Sequence, residues 1–140
     1  MKLALRRDAP SNATPLQTLA CKVIKARLVS QFSHGGIVVG DNLYHSTGSR
    51  GLHMLEAHEW NPSNWLLIEL GTTQDLRVLN LFERVKGMKY DWFSLLAFAG
   101  LSARDGNRVY CFEWCWWCIT GAPPSTRVTP EMLILEAAHD

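Results

Sequence analysis

The stretch SHGGIVVGDNLYHSTG (residues 33–48) carries the signal that decides the fold. A β-branched run, a Gly-Asp-Asn turn signal and a second short run together predict a β-hairpin. If Asp41 and Asn42 form a two-residue turn, position 45 pairs with position 38, and positions 34, 36 and 38 share one face of the pleat. The pattern therefore predicts that His34 and His45 point the same way. On that pairing the two rings are staggered along the strands, so direct contact needs strand twist, a bulge or a different register.

The segments before and after the hairpin have helical and strand patterns. Thr14 as N-cap, Pro15 at the first helical position and Gln17 three residues after the cap predict a helix over about residues 15–28. Its predicted apolar positions are Leu16, Leu19, Ala20, Val23 and Ile24. RGLHMLEA and WLLIEL are strand candidates, and four later segments have helical patterns: TTQDLRVLNLFERVKG with Leu76, Leu79, Phe82 and Val85 near one face, YDWFSLLAFAG, YCFEWCWWCITG and VTPEMLILEAA. The order of helix, small antiparallel sheet and helices predicts an α+β fold.

Length and composition favour one domain over residues 1–140. A chain of 140 residues with 47% hydrophobic residues can bury roughly two thirds of its unfolded surface. The 14 basic and 13 acidic side chains give a formal charge of +1, without the basic excess that nucleic acid or an anionic membrane favours. MKLALRRDAP lacks a signal peptide's apolar region, and no stretch reaches the ~18 apolar residues of a membrane span. We expect no nucleic-acid partner, no integral membrane segment, a cytoplasmic location and reduced thiols.

The segment VYCFEWCWWC (residues 109–118) holds three of the four cysteines. Its C-x3-C-x2-C spacing matches the 4Fe–4S motif of enzymes that use S-adenosylmethionine, and CWWC matches the redox spacing of thioredoxin-like proteins. Both motifs normally occur early in a domain, whereas this one lies late in a short chain. On a helix the three thiols share one stripe, and free cysteine is among the most buried residue types. We therefore interpret Cys115 and Cys118 as core residues.

Cys111 differs because it follows a polar loop and begins the predicted helix. A thiol in the first turn faces unpaired N–H groups and the positive end of the helix dipole, which lower its pKa. A thiolate nucleophile needs a base and a residue that orients the base. His34 and His45 of the hairpin are the candidates, whereas His53 and His58 lack such a placement and His139 lies in the tail.

These segments resemble the circularly permuted branch of the NlpC-type papain-like superfamily, which includes YiiX-like proteins and the lecithin retinol acyltransferase-like group. The matching pieces are SHGGIVVGDNLYHSTGSRG, KGMKYDWFSLLAF, VYCFEWCWW and VTPEMLI, so the resemblance covers about residues 15 to 135. It implies a papain-like fold in which the histidine strand comes first and the cysteine helix late.

Carried over by position, the resemblance implies Cys111 as nucleophile, His34 as general base and His45 as the residue that orients it. Glu113 fits the acidic position of the family's C-x-E pattern, and its carboxylate suits a first helical turn. We assign Glu113 and Tyr110 supporting roles there. Two positions depart from the family: Phe112 stands where a small polar residue is common, and Gly35 where valine is usual.

The activity that the resemblance implies is acyl transfer on an amide bond, without a metal or organic cofactor. The resemblance then implies a cysteine peptidase or amidase whose substrate is bacterial cell-wall peptide. The compact single domain is similar to bacterial or phage-encoded members of the superfamily. Release by lysis or virion delivery would bring it to the wall. Two alternatives stay open: a lipid acyl hydrolase or acyltransferase on the same fold, and a non-catalytic structural interaction module.

Overall fold

The computed structural model describes residues 1–71, 74–92 and 107–139. Within these ranges the chain is α+β, with one five-stranded antiparallel sheet and four α-helices. The strands are β1 (Lys2–Arg6), β2 (His34–Val39), β3 (Asn42–Thr47), β4 (Gly51–Leu55) and β5 (Leu66–Glu69), in the spatial order β4-β3-β2-β1-β5. The helices are α1 (Pro15–Leu28), α2 (Asp75–Val85), α3 (Cys111–Thr120) and α4 (Pro130–Ala137), and two short 3₁₀ helices, Ala57–Glu59 and Pro62–Asn64, precede β5.

The sequence patterns do not predict β1, which lies between β2 and β5. Leu3 and Leu5 enter the larger core on the helical face of the sheet, and Ala4 enters a smaller cluster on the opposite face. An apolar run that is buried on both faces lacks the alternation that identifies a half-exposed strand. The strand is therefore recognised only from its neighbours.

The predicted hairpin is confirmed, but its predicted turn is wrong. Val39 pairs with Asn42, so the turn consists of Gly40 and Asp41. Gly40 has a φ of +59°, as the first central residue of a type II′ turn requires, and glycine adopts this conformation without steric cost. In consequence His45 pairs with position 36 rather than 38. This register brings His34 and His45 two residues closer along the strands and makes them diagonal neighbours.

The helix predicted over residues 15–28 is confirmed with its capping box. The Gln17 N–H donates to Thr14 Oγ1 at 3.2 Å, and the Thr14 N–H donates to Gln17 Oε1 at 2.8 Å. The predicted apolar face is confirmed only at Ile24, which is buried together with Leu28, whereas Leu16 is 75% exposed. Helical period fixes which residues share a face, but the neighbouring elements decide how much of that face they cover.

The remaining strands and helices lie where the sequence predicts them, but some of their buried residues differ from the predicted ones. RGLHMLEA and WLLIEL contain β4 and β5, and the predicted helices α2, α3 and α4 are present. α2 buries Val78, Leu81 and Phe82, whereas Leu76, a predicted inner-face residue, is exposed. The helix predicted in YDWFSLLAFAG lies largely outside the described residues.

The sheet separates two apolar clusters. α3 lies against β2 and β3 on one face, where Trp114 Nε1 donates to the Tyr44 carbonyl at 2.9 Å and Ser46 Oγ donates to the Val109 carbonyl at 2.8 Å. These two bonds fix α3 and the residues before it relative to β3. The opposite face carries a cluster of Ala4, Val38 and Leu43 packed against Leu55, Trp60, Trp65 and Leu67. In the described ranges, no helix combines the length and apolarity needed to cross a membrane.

Candidate active site

The Cys111 thiol lies at the first residue of α3, against the beginning of β2. It has no exposed surface, and its sulfur is 3.8 Å from Tyr90 Oη. The backbone N–H of Gly35 acts to lower the pKa of this thiol. Tyr90 reaches this position because the Val109 N–H donates to the Lys89 carbonyl at 2.9 Å, which joins the two segments just before each side chain.

The prediction that the start of the helix gives Cys111 a lowered pKa is wrong, because the net shift is upward. Burial raises the pKa of the thiol to about 11, although N–H groups of Gly35, Phe112 and Cys111 itself and the Tyr90 hydroxyl act to lower it. Burial disfavours the charged form more than these donors favour it. The thiol is therefore neutral at pH 7.

Gly35 and Phe112, the two residues that differ from the pattern of the family that the sequence resembles, lie against each other. Phe112 is fully buried, and a Cβ atom on Gly35 would lie 2.8 Å from Phe112 Cδ1 and 2.9 Å from Cε1. The ring thus occupies the space that a side chain at position 35 would fill. A small residue in the strand and a large one on the helix together keep α3 close to β2.

Three histidine rings form a continuous row across β2, β3 and β4. His34 Nε2 lies 2.8 Å from His45 Nδ1, and His45 Nε2 lies 3.1 Å from His53 Nε2. His53 Nδ1 lies 2.8 Å from the Gly51 carbonyl oxygen. Gly36 leaves room for the row, since a Cβ atom there would lie 3.1 Å from His45 Cβ. The prediction that His34 and His45 share one face is confirmed, and the different register brings the two rings into contact.

The expectation that His53 lacks a suitable placement is wrong. β3 and β4 pair so that His45 and His53 are directly opposite, and paired residues present their side chains on the same face. His58 differs, because its side chain is 78% exposed. The alternation in GLHML is compatible with an inward His53, but only the pairing with β3 identifies its partner.

The rings of His34 and His45 are buried and neutral. Their exposed fractions are 7% and 6%. Burial lowers the pKa of His34 well below its usual range, and the charges of His45, Arg6 and His53 act in the same direction. Burial, followed by the charges of His53, Arg6 and Arg50, lowers the pKa of His45 to about 3. At pH 7 each ring therefore carries one proton and has one nitrogen free to accept a hydrogen bond.

Arg6 lies beside His34 on β1, which the sequence did not single out. It pairs directly with His34 across the two strands, and its guanidinium lies 4.9 Å from the centroid of the Trp65 ring. That ring in turn lies 5.6 Å from the His34 ring. Arg6 Nε is buried without a hydrogen-bond partner, and no carboxylate among the described residues pairs with this guanidinium. The row of histidines thus ends at an uncompensated cation.

Cys111 and His34 approach the same end of β2 from different sides. The open side of Gly35 faces Phe112 and Cys115 of α3, and successive side chains of a strand point to opposite faces. Within the described residues no hydrogen bond joins the Cys111 sulfur to a ring nitrogen of His34. The catalytic roles of Cys111, His34 and His45 therefore stay predictions.

Two further side chains hold the start of α3. Glu113 is buried and its Oε2 accepts from the Tyr110 N–H at 3.2 Å. Tyr110 Oη accepts from the Val128 N–H at 2.7 Å and donates to the Val128 carbonyl at 2.9 Å. Both contacts are structural, because they join the helix start to its own first turn and to the segment before α4.

Neither the other cysteines of α3 nor a comparison with known proteins assigns a further functional residue. Cys115 and Cys118 are buried free thiols, and among the residues that the structure describes no group of three or more His, Cys, Asp or Glu side chains is arranged to hold a metal ion. No protein-family model matches the chain, and no curated protein matches its sequence.

Proposed function

We propose that this chain is a cysteine hydrolase of the permuted papain-like fold, which forms a thioester on Cys111 with His34 as general base and His45 as the residue that orients it. The observation that carries the proposal is the 2.8 Å contact between His34 and His45, beside Gly35, whose N–H acts to lower the pKa of the Cys111 thiol. A nucleophile, a base and an orienting group at one strand end are the minimum for covalent catalysis.

The proposed reaction has two steps. The side chains of Cys111 and His34 lie on opposite faces at the end of β2, so the first step requires substrate binding to bring the His34 ring within reach of the sulfur. In that step the Cys111 thiol gives its proton to His34, the sulfur bonds to the amide carbon, and His34 protonates the leaving amine as the C–N bond breaks. In the second, water gives a proton to His34, its oxygen bonds to the thioester carbon, and the proton returns to the departing sulfur. Backbone N–H groups at the start of α3 and the Tyr90 hydroxyl are donors close to the sulfur that suit the developing oxyanion.

The resting protonation states set a condition on this mechanism. With a raised pKa at Cys111 and a lowered pKa at His34, the pair is neutral rather than a preformed thiolate and imidazolium. Proton transfer must therefore accompany attack on a bound substrate. Cys111 is also fully buried, so a substrate must displace a neighbouring group to reach the sulfur.

Arg6 favours an acidic peptide over a lipid amide as the substrate. A partly buried guanidinium without a counter-ion is costly, and a carboxylate is the group that it binds in a bidentate manner. Bacterial cell-wall peptides carry free carboxylates beside their amide bonds. The indole of Trp65 under the guanidinium would hold its plane in one orientation for such a ligand.

Acyl-enzyme trapping tests the nucleophile. Purified chain is incubated with a panel of cell-wall peptides and a panel of lipid amides and esters, quenched in acid and examined by mass spectrometry. We expect Cys111→Ala to abolish both turnover and the acyl adduct, and Cys115→Ala, which removes a buried thiol one helical turn away, to retain them. Equal turnover in the two variants would reject Cys111, and turnover of lipids alone would reject the peptide.

A substrate pair tests Arg6. One peptide carries a carboxylate next to the scissile amide, and its partner carries a carboxamide there. Since a hydrogen bond to a charged group contributes about 1.5–3 kcal/mol, Arg6→Gln should lower kcat/KM for the carboxylate peptide roughly tenfold to a hundredfold and leave the carboxamide peptide unchanged. Arg7→Gln is the matched control. Equal losses on both peptides would exclude carboxylate recognition.

The complete burial of Cys111 favours a second candidate, a non-catalytic interaction module on the same scaffold. A neutral, inaccessible thiol does not react with electrophiles at neutral pH. Iodoacetamide labelling at pH 7, located by mass, distinguishes the two. Modification of Cys111 in the native chain supports the hydrolase, whereas protection of Cys111 until the chain unfolds, together with no turnover, supports the module.

A further inference from the structure

The hydrogen bonds of the three-histidine row determine which ring nitrogens carry protons. A carbonyl oxygen only accepts hydrogen bonds, so the 2.8 Å contact with the Gly51 oxygen requires a proton on His53 Nδ1. The position of that carbonyl is fixed by the next residue, because the Leu52 N–H donates to the Met88 carbonyl at 2.8 Å. The row is thus anchored at its outer end by backbone.

The position of the proton on His53 determines which nitrogens carry protons on His45 and His34. Burial lowers the pKa of all three rings, so each is neutral at pH 7 and carries a single N–H. With Nδ1 protonated, His53 Nε2 must accept, and the 3.1 Å contact then requires a proton on His45 Nε2. His45 Nδ1 accepts in turn, and the 2.8 Å contact requires a proton on His34 Nε2. His34 Nδ1 is therefore left unprotonated.

We propose that His53 is a positioning residue, which acts through His45 to hold His34 in the tautomer whose Nδ1 can take a proton. The inference rests on the proposed function, since only a general base needs this nitrogen free. His53 itself touches neither the sulfur nor the substrate in this scheme. Because its Nδ1–H donates to a fixed backbone carbonyl, its Nε2 can only accept, and this fixes the tautomer of His34 two strands away. The role requires only a hydrogen-bond acceptor next to His45 Nε2.

The row also explains how a histidine can serve as the orienting residue of the proposed base. Unlike a carboxylate, which accepts from the base at any time, a neutral imidazole either accepts or donates at a given nitrogen. His45 alone would allow both orders of protons along the row. The contact with His53 removes one of them, and so the third ring supplies what a carboxylate would supply by its charge.

Nitrogen NMR of histidine tautomers tests the proposal without reference to turnover. In uniformly ¹⁵N-labelled chain at pH 7, two-bond proton–nitrogen correlations report which ring nitrogen is protonated. We expect an Nε2–H form for His34 and His45 and an Nδ1–H form for His53. An Nδ1–H form at His34 in the native chain would overturn the proposal.

Variants separate the positioning role from a merely structural one. His53→Phe keeps a ring of similar size but removes the acceptor, and His53→Gln keeps an acceptor near the Nε2 position. Loss of one hydrogen bond of about 1 kcal/mol should shift the tautomer ratio at His34 by about fivefold in His53→Phe. The ratio should be restored in His53→Gln and unchanged in the exposed control His58→Phe.

The outcomes distinguish this proposal from the hydrolase. If the His34 ratio is the same in the native chain and in a folded His53→Phe, the positioning role is wrong whether or not the chain turns over amides. If the tautomers follow the expected pattern but no Cys111 adduct forms with any substrate, the hydrolase is wrong and the proton order in the row stands. If His53→Phe does not fold, His53→Gln with an altered His34 ratio would equally overturn the proposal.

Discussion

The contact between Gly35 and Phe112 can be tested by a double-mutant cycle. A fully buried phenylalanine replaced by alanine costs about 3–5 kcal/mol, and Phe112 has no exposed surface. Gly35→Ala places a methyl group 2.8 Å from the Phe112 ring, well inside the ordinary contact distance, and such overpacking costs about 1–3 kcal/mol. Without the ring the nearest remaining atom is Cys115 Sγ at 3.3 Å, so the severe part of the clash is gone.

In the Phe112→Ala background the same Gly35→Ala change should therefore become neutral or stabilising. Alanine restricts the unfolded chain relative to glycine and contributes about 0.4–1 kcal/mol where its conformation is allowed. The expected coupling free energy between the two positions is thus about 1–4 kcal/mol. Fluorescence-monitored urea unfolding of the four proteins measures it, provided that their m-values agree.

The neighbouring glycine supplies the control for this cycle. A Cβ atom on Gly36 would lie 2.7 Å from Leu43 Cδ1, on the face of the sheet that points away from Phe112. Gly36→Ala should be destabilising by itself and show no coupling with Phe112→Ala. Additive effects of Gly35→Ala and Phe112→Ala, within about 0.5 kcal/mol, would refute the packing argument.

Three further predictions follow from the buried polar groups. The folded chain holds His34 and His45 neutral, while the unfolded chain protonates them below the usual pKa of 6.5. The free energy of unfolding should therefore fall on acidification below that pH, by at most about 1.4 kcal/mol per pH unit for each ring. Urea unfolding between pH 7 and pH 5 measures this change, and a flat profile would contradict the prediction. Tyr90→Phe removes a hydroxyl that lowers the pKa of Cys111, so the pH dependence of Cys111 alkylation should move to higher pH, and an unchanged profile would exclude the contact. Tyr110→Phe leaves the Val128 N–H without its partner and should cost about 1–3 kcal/mol in thermal or urea unfolding, and an unchanged stability would show that water replaces the bond.

Local signals were sufficient for most elements of the fold. The capping box of Thr14 and Gln17, the turn glycines and the Thr-Pro start of the last helix act within a few residues of one another, and the structure contains the elements that they predict. The start of α3 at Cys111 is also local in origin. These signals do not contain the identity of the neighbour on each face, which is why most of the apolar positions predicted for α1 differ from the residues that are buried.

The candidate site divides in the same way. The sequence brought together Cys111, His34 and His45 by motif order and residue type. It missed His53 and Arg6 because each depends on a strand pairing that a single segment does not reveal. A one-residue shift of the hairpin turn was enough to convert two staggered rings into a hydrogen-bonded pair.

The sequence by itself determined where helices begin and end, that a hairpin carries two histidines on one face, and that a thiol opens a late helix, because these depend on contacts within one turn or one pleat. Only the tertiary structure decided that β1 enters the middle of the sheet, that His53 and Arg6 extend the row, and that the Cys111 thiol is neutral. The physical reason is that strand register and burial are set by groups distant in the chain. The same burial that packs α3 against β2 also reverses the effect of the helix start on the pKa of its first residue.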